Sequence, residues 1–156
     1  MTGTGDPDQA FDELFRHQYA AMVRLAHLLT RSNLAAEDLV QDAFVRVRAA
    51  WARVEDPVPY LRRSVVNACR SWHRTRAREA ARDRSLAVVD PALPSETVEV
   101  LDVIRRLPWG QRTALVLRYY EDLSEADIAQ AMGCRPGTVK SHLHRGRAAI
   151  EKEIGA

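Results

Sequence analysis

Two cysteines stand in 156 residues, Cys69 and Cys134, far apart in the chain. That scarcity excludes a disulfide scaffold and a cysteine-rich metal site. Cys69 falls on the apolar face of a predicted helix, as a small core residue does. Aromatic residues are few, at 6%, and glycines number seven, none of them in a phosphate-binding loop pattern. No apolar run approaches the ~20 residues needed to span a membrane. The N-terminus lacks the basic-then-apolar order of a signal peptide, so a cytoplasmic chain with no membrane insertion is expected. Alternation of apolar and polar residues never persists, which excludes a sheet. An excess of one charge is also missing: the formal net charge is +2.

What remains is charge placed unevenly on helical periodicity. Arginines 62, 63, 70, 74, 76, 78, 82 and 84 face only Glu79 and Asp83 in one stretch. Residues 135, 140, 145, 147 and 152 are Lys or Arg, with Glu151 the one acid among them. Between residues 34 and 56 acids prevail, at positions 37, 38, 42, 55 and 56. Two basic patches on a near-neutral chain point to two places that touch nucleic acid.

The pattern predicts an all-α fold of two small helical domains. Residues 1–7, with Gly3, Gly5 and Pro7, form a tail. Residues 8–81 form the first domain. Its first helix, about 8–30, buries Phe11, Leu14, Phe15, Met22, Leu25 and Leu29. The second, about 34–53, buries Val40, Phe44, Val47 and Trp51, and turns Asp38, Gln41, Asp42, Arg46 and Arg48 outward. Asp56-Pro57-Val58-Pro59 reads as a stiff turn. The third helix, about 59–81, buries Leu61, Val65, Ala68, Cys69 and Trp72 under an outer face of Arg62, Arg63, Asn67, Arg70 and Ser71. Such a face suits single-stranded nucleic acid, and equally a helix made soluble by arginine. Periodicity fades over 82–95, where Pro91 and Pro94 mark a linker. Residues 96–156 form the second domain, with a helix burying Val100, Leu101 and Ile104, and another begun at Pro108.

The last stretch, SEADIAQAMGCRPGTVKSHLHRGRAAI, reads as two helices and a tight turn. Ser124 caps the first, with Asp127 in the capping-box position. Gly133 accepts the left-handed conformation that ends a helix, and Pro136 opens the next. Val139, Leu143 and Ile150 face inward. Thr138, Lys140, Ser141, His142, His144 and Arg145 form an outward strip suited to phosphates and base edges in a major groove. A plain helical hairpin with a solvated basic face has the same periodicity. The short glycine turn, and a basic strip starting at the second helix's N-terminus, favour helix-turn-helix DNA binding.

Three stretches together resemble an extracytoplasmic-function (ECF) sigma factor of the sigma-70 family: AEDLVQDAF, PYLRRSVVNACRSWHR, and residues 107–150 throughout. VVNACRSW resembles an actinobacterial, SigE-like subgroup. The resemblance implies a bacterial transcription initiation factor that binds core RNA polymerase and directs promoter recognition. Asp38, Gln41, Asp42 and Arg46 are then expected to face the clamp helices of the polymerase β′ subunit. Arg62, Arg63, Asn67 and Arg70 are expected on the unpaired −10 strand. Thr138, Lys140, Ser141, His142, His144 and Arg145 are expected on the −35 duplex, with the C-terminal domain also meeting the β flap. The resemblance admits an anti-sigma factor as a further partner. Ser71 stands where many members carry aspartate, Arg135 where a Ser or Thr cap is common, and His142 where arginine is frequent. Neutral histidine lacks arginine's bidentate pairing with guanine, which leaves the −35 sequence open.

Two other classes compete. A free-standing helix-turn-helix regulator binds duplex DNA without polymerase, but needs its first eighty residues for dimerisation or sensing. An enzyme needs a Ser/His/Asp set, paired metal ligands or a phosphate loop. His17, His27, His73, His142 and His144 are scattered or lie on the basic face, so no catalysis, metal or cofactor is expected.

Overall fold

The computed structural model describes residues 5–82 and 98–155. Most of the expected tail, and the expected linker from residue 83 onward, lie outside the described residues. Among those described the regular structure is helical throughout, as the periodicity predicts. The elements are α1 (Pro7–Thr30), α2 (Asn33–Ala49), a 3₁₀ turn (Trp51–Arg53), α3 (Pro57–Arg82), α4 (Val98–Arg106), α5 (Trp109–Tyr119), α6 (Glu125–Met132) and α7 (Pro136–Ile154). Contacts group the chain into two units, Met1–Ser71 and Trp72–Ala156. The division falls within α3, ahead of residues 82–95.

In the first unit, helix ends are fixed by local chemistry. Asp6 accepts the Asp8 N–H at the start of α1, with Pro7 in the first position, where its missing N–H costs nothing. Ser32 caps α2 by accepting from the Ala35 N–H. Pro57 and Pro59 do not make a turn; both fall in the first turn of α3, where backbone N–H groups lack intrahelical acceptors anyway. The core joins Met22, Leu25 and Leu29 of α1 to Val40, Phe44 and Val47 of α2 and Leu61, Val65 and Val66 of α3. Cys69 is buried among them, and burial pushes its thiol up to about 12. Phe15, expected inside, is exposed on α1 and stacks on Tyr19.

The second unit is built around α5 and α7. Leu115 and Leu117 of α5, Ile128 of α6, and Val139 and Leu143 of α7 are fully buried. On α4 the buried residue is Val103, while Val100, expected inside, is exposed. Two arginines hold the connections. The Arg112 guanidinium donates to the carbonyls of Arg105 and Leu107 at 2.6 and 3.2 Å, satisfying acceptors that the end of α4 leaves open. Arg118 donates to the Leu123 carbonyl at 2.9 Å, bracing the turn before α6.

Candidate polymerase and nucleic-acid interfaces

In the first unit, α2 places Asp38, Gln41, Asp42 and Arg46 in solvent, as the periodicity predicts. The same helix also exposes two large apolar side chains, Leu34 at 74% and Val45 at 68%. Leu34, Asp38, Gln41 and Val45 follow the i, i+4, i+7, i+11 rhythm of one face. Acid and amide are thus flanked by apolar groups, a composition suited to a protein partner. Val45 lines an apolar groove of about 400 Å³ with Phe11, Phe15, Gln41, Phe44 and Arg48. Phe44 meets Phe15 edge-on at 4.9 Å. Arg48 lies over the Phe11 ring at 5.4 Å and pairs with Asp8 at the rim. Sequence reasoning missed Leu34, Val45 and the groove; the signal was two apolar residues in register with a polar face.

On α3, Arg63, Asn67 and Arg70 are exposed and share one face at i, i+4 and i+7. Arg62 does not join them equally: it is half-buried, with its Nε in the interior.

In the second unit, Ser124 accepts the Asp127 N–H at 3.1 Å and starts α6. Gly133, at φ 67°, ends it. The N–H of Cys134 reaches the Ala129 carbonyl at 3.0 Å and that of Gly133 the Gln130 carbonyl at 3.4 Å, a complete Schellman closure. Pro136 opens α7, with no side chain capping its first turn. Val139 and Leu143 anchor α7 in the core. Thr138, Lys140, Ser141, His144 and Arg145 therefore stand exposed together. Lys140 Nζ lies 3.9 Å from a Glu125 carboxylate oxygen of α6, a weak exposed pair that a phosphate can replace. The Ser141 hydroxyl donates to the Gly137 carbonyl at 3.2 Å, so its oxygen remains an acceptor. Arg147 is engaged elsewhere, donating to the Tyr119 hydroxyl at 2.6 Å. His142 differs from its neighbours: it is half-buried, its ring set against the backbone of Gly110 on α5. Burial first, and then the nearby Arg145, lower its pKa below the usual imidazole value.

A capped helix-turn-helix with a basic second helix, joined in one chain to a helical unit bearing a protein-binding type of face, defines a DNA-binding protein that works with a partner. Residues 14–79 match the family model described as Sigma-70 region 2, and residues 97–150 that described as Sigma-70, region 4. The chain is 34% identical over 153 residues to the RNA polymerase sigma-E factor of Streptomyces coelicolor, covering 94% of this chain and 86% of that one. It is 36% identical over 152 residues to the ECF RNA polymerase sigma factor SigM of Mycobacterium tuberculosis, covering 94% and 78%. The fold is shared with the sigma factor RpoE of Bartonella quintana, solved with the anti-sigma factor NepR. There the TM-score is 0.80 at 24% identity, over 95% of this chain and 98% of that one. The chain belongs to the sigma-70 family, among its ECF RNA polymerase sigma factors.

Proposed function

We propose that this sigma factor engages core polymerase through α2, the melted −10 strand through α3 and the −35 duplex through α7. As an RNA polymerase sigma factor the chain acts in transcription initiation, with polymerase and promoter DNA as its partners. Its contribution is binding and direction; the chemistry of RNA synthesis belongs to the polymerase, and the setting is the cytoplasm. A free-standing regulator is not favoured, because the region 2 match spans the residues such a protein needs for other work. The groups assigned to the β′ clamp helices are Asp38, Gln41, Asp42 and Arg46. Arg62, Arg63, Asn67 and Arg70 are assigned to the −10 strand, with half-buried Arg62 contributing least. Thr138, Lys140, Ser141, His144 and Arg145 are assigned to the −35 element. The C-terminal domain also meets the β flap, residues 82–95 link the two domains, and an anti-sigma factor competes for these faces.

The observation that carries this reading is the exposed strip on α7, held outward by buried Val139 and Leu143 on its other side. Lysine is a flexible point charge and arginine a planar fork. Lys140 is accordingly assigned to phosphate and Arg145 to a base edge. In holoenzyme, Lys140→Ala is expected to weaken all promoters alike and lower the salt slope by about one unit. Arg145→Ala is expected to cost about 1–3 kcal/mol and relax preference at one base pair. Initiation by both variants at the parent's level and specificity contradicts the assignment.

A further inference from the structure

We propose that His142 is a positioning residue of the recognition helix: its ring fills the space left by the missing Cβ of Gly110, and this contact fixes how α7 lies on α5. The proposal rests on the reading of α7 as the −35 helix and extends it to what sets that helix's angle.

The geometry is close. A Cβ built on Gly110 falls 2.6 Å from His142 Nε2 and 2.9 Å from Nδ1, inside the contact distance of any side chain. Glycine at 110 is therefore the condition for the ring to seat where it does. Gly110 has an ordinary negative φ, so the requirement is for space and not for backbone freedom. One helical turn along α7 the device is repeated in the opposite sense. There the glycine is on α7: a Cβ on buried Gly146 falls 2.7 Å from Cδ1 and 3.1 Å from Cγ of Leu115 on α5. Each helix thus gives up one Cβ, and the other helix's side chain occupies the space. Such interdigitation resists both sliding and rotation of α7 on α5.

The exposed residues at 140, 141, 144 and 145 flank His142 on the same turns. A small rotation at the seam moves all of them against a groove. A half-buried ring laid on a backbone is poorly placed to reach a base edge, whereas it is well placed to hold its neighbours' angle. The charged group that acts on it is Arg145 of its own helix; the α5 surface beneath it is the Gly110 backbone. A neutral ring suits that seat, and protonation does not.

The test uses the full chain with core RNA polymerase on a promoter fragment recovered by run-off transcription of genomic DNA. His142→Phe keeps a neutral ring and removes both ring nitrogens, and it is expected to hold initiation within about twofold. Gly110→Ala is expected to lose about tenfold, because the ring must leave its seat. Adding His142→Ala to Gly110→Ala is expected to cost little more, because the seat is already lost, a non-additivity that independent sites do not show. A double variant as poor as the product of the singles overturns the proposal. So does a His142→Phe variant that changes the preferred base at one promoter position, as loss of a direct contact does. If Gly110→Ala fails to fold by circular dichroism, thermal midpoints of the parent and His142→Phe between pH 7.5 and 5.5 decide. Since the folded-state pKa is lowered from 6.5, the unfolded chain takes up the proton first. The seat's stabilisation is present above that value and is lost as pH falls below it. The parent is expected to lose more on acidification than His142→Phe; equal losses overturn the proposal. Melting-point coupling of positions 110 and 142 needs no DNA, so it separates a failure of the seam from a failure of the −35 reading.

Discussion

The side chain of Thr113 is fully buried in α5, and its hydroxyl finds no partner among the described residues. A buried donor left unpaired forfeits its hydration without return. Thr113→Val, which keeps the shape and removes the hydroxyl, is expected to raise stability by about 1 kcal/mol. Chemical denaturation reads this as a higher midpoint at unchanged slope; a lower midpoint means the hydroxyl is satisfied in solution. At this scale the sequence revealed identities but not surroundings. His142 reads as one member of a basic strip because spacing along α7 puts it there. Its partner, Gly110, lies on another helix, and a missing Cβ leaves no trace in the periodicity of either. Phe15 fails for the converse reason. It falls on the apolar stripe of α1, but nothing in the stripe says whether a neighbour covers it.

Elements whose ends are set locally were the most legible. Ser124, Gly133 and Pro136 lie within or beside the turns they control, and each plays the part its chemistry dictates. Removing the cap with Ser124→Ala is expected to cost about 1 kcal/mol, since the Asp127 N–H loses its acceptor. The measurement is the thermal midpoint of the full chain, and an unchanged midpoint means water serves as well as the hydroxyl. Pro57 and Pro59 look like a turn in the sequence because proline stops a helix from within, but it is welcome in a helix's first turn. On α4 the buried position is Val103 and not Val100. A helix of nine residues offers too few turns for its stripe to be phased from periodicity alone. The periodicity of α2 shows the polar members of its exposed face but not its apolar ones. Leu34 and Val45 look like core residues in the sequence, yet both stand exposed in the structure.

At the scale of the whole molecule, the order of stretches was legible because each domain carries its own local signature. The residues proposed to meet polymerase and DNA are positioned by contacts within their own unit, so their assignments can be tested one at a time. Asp42→Arg reverses a charge on the exposed α2 face without touching the buried Val40, Phe44 and Val47. It is expected to weaken core binding by about 2–5 kcal/mol if that carboxylate is buried at the interface. A pull-down with full retention, helicity being intact, removes α2 from the interface. Sigma activity is tested most directly by run-off transcription on genomic fragments with core polymerase, in the presence and absence of the chain. Discrete transcripts that appear only when the chain is added, and disappear with Asp42→Arg, are the expected result. Tight binding of the chain to duplex DNA by itself, with no new transcript when core polymerase is supplied, would contradict it.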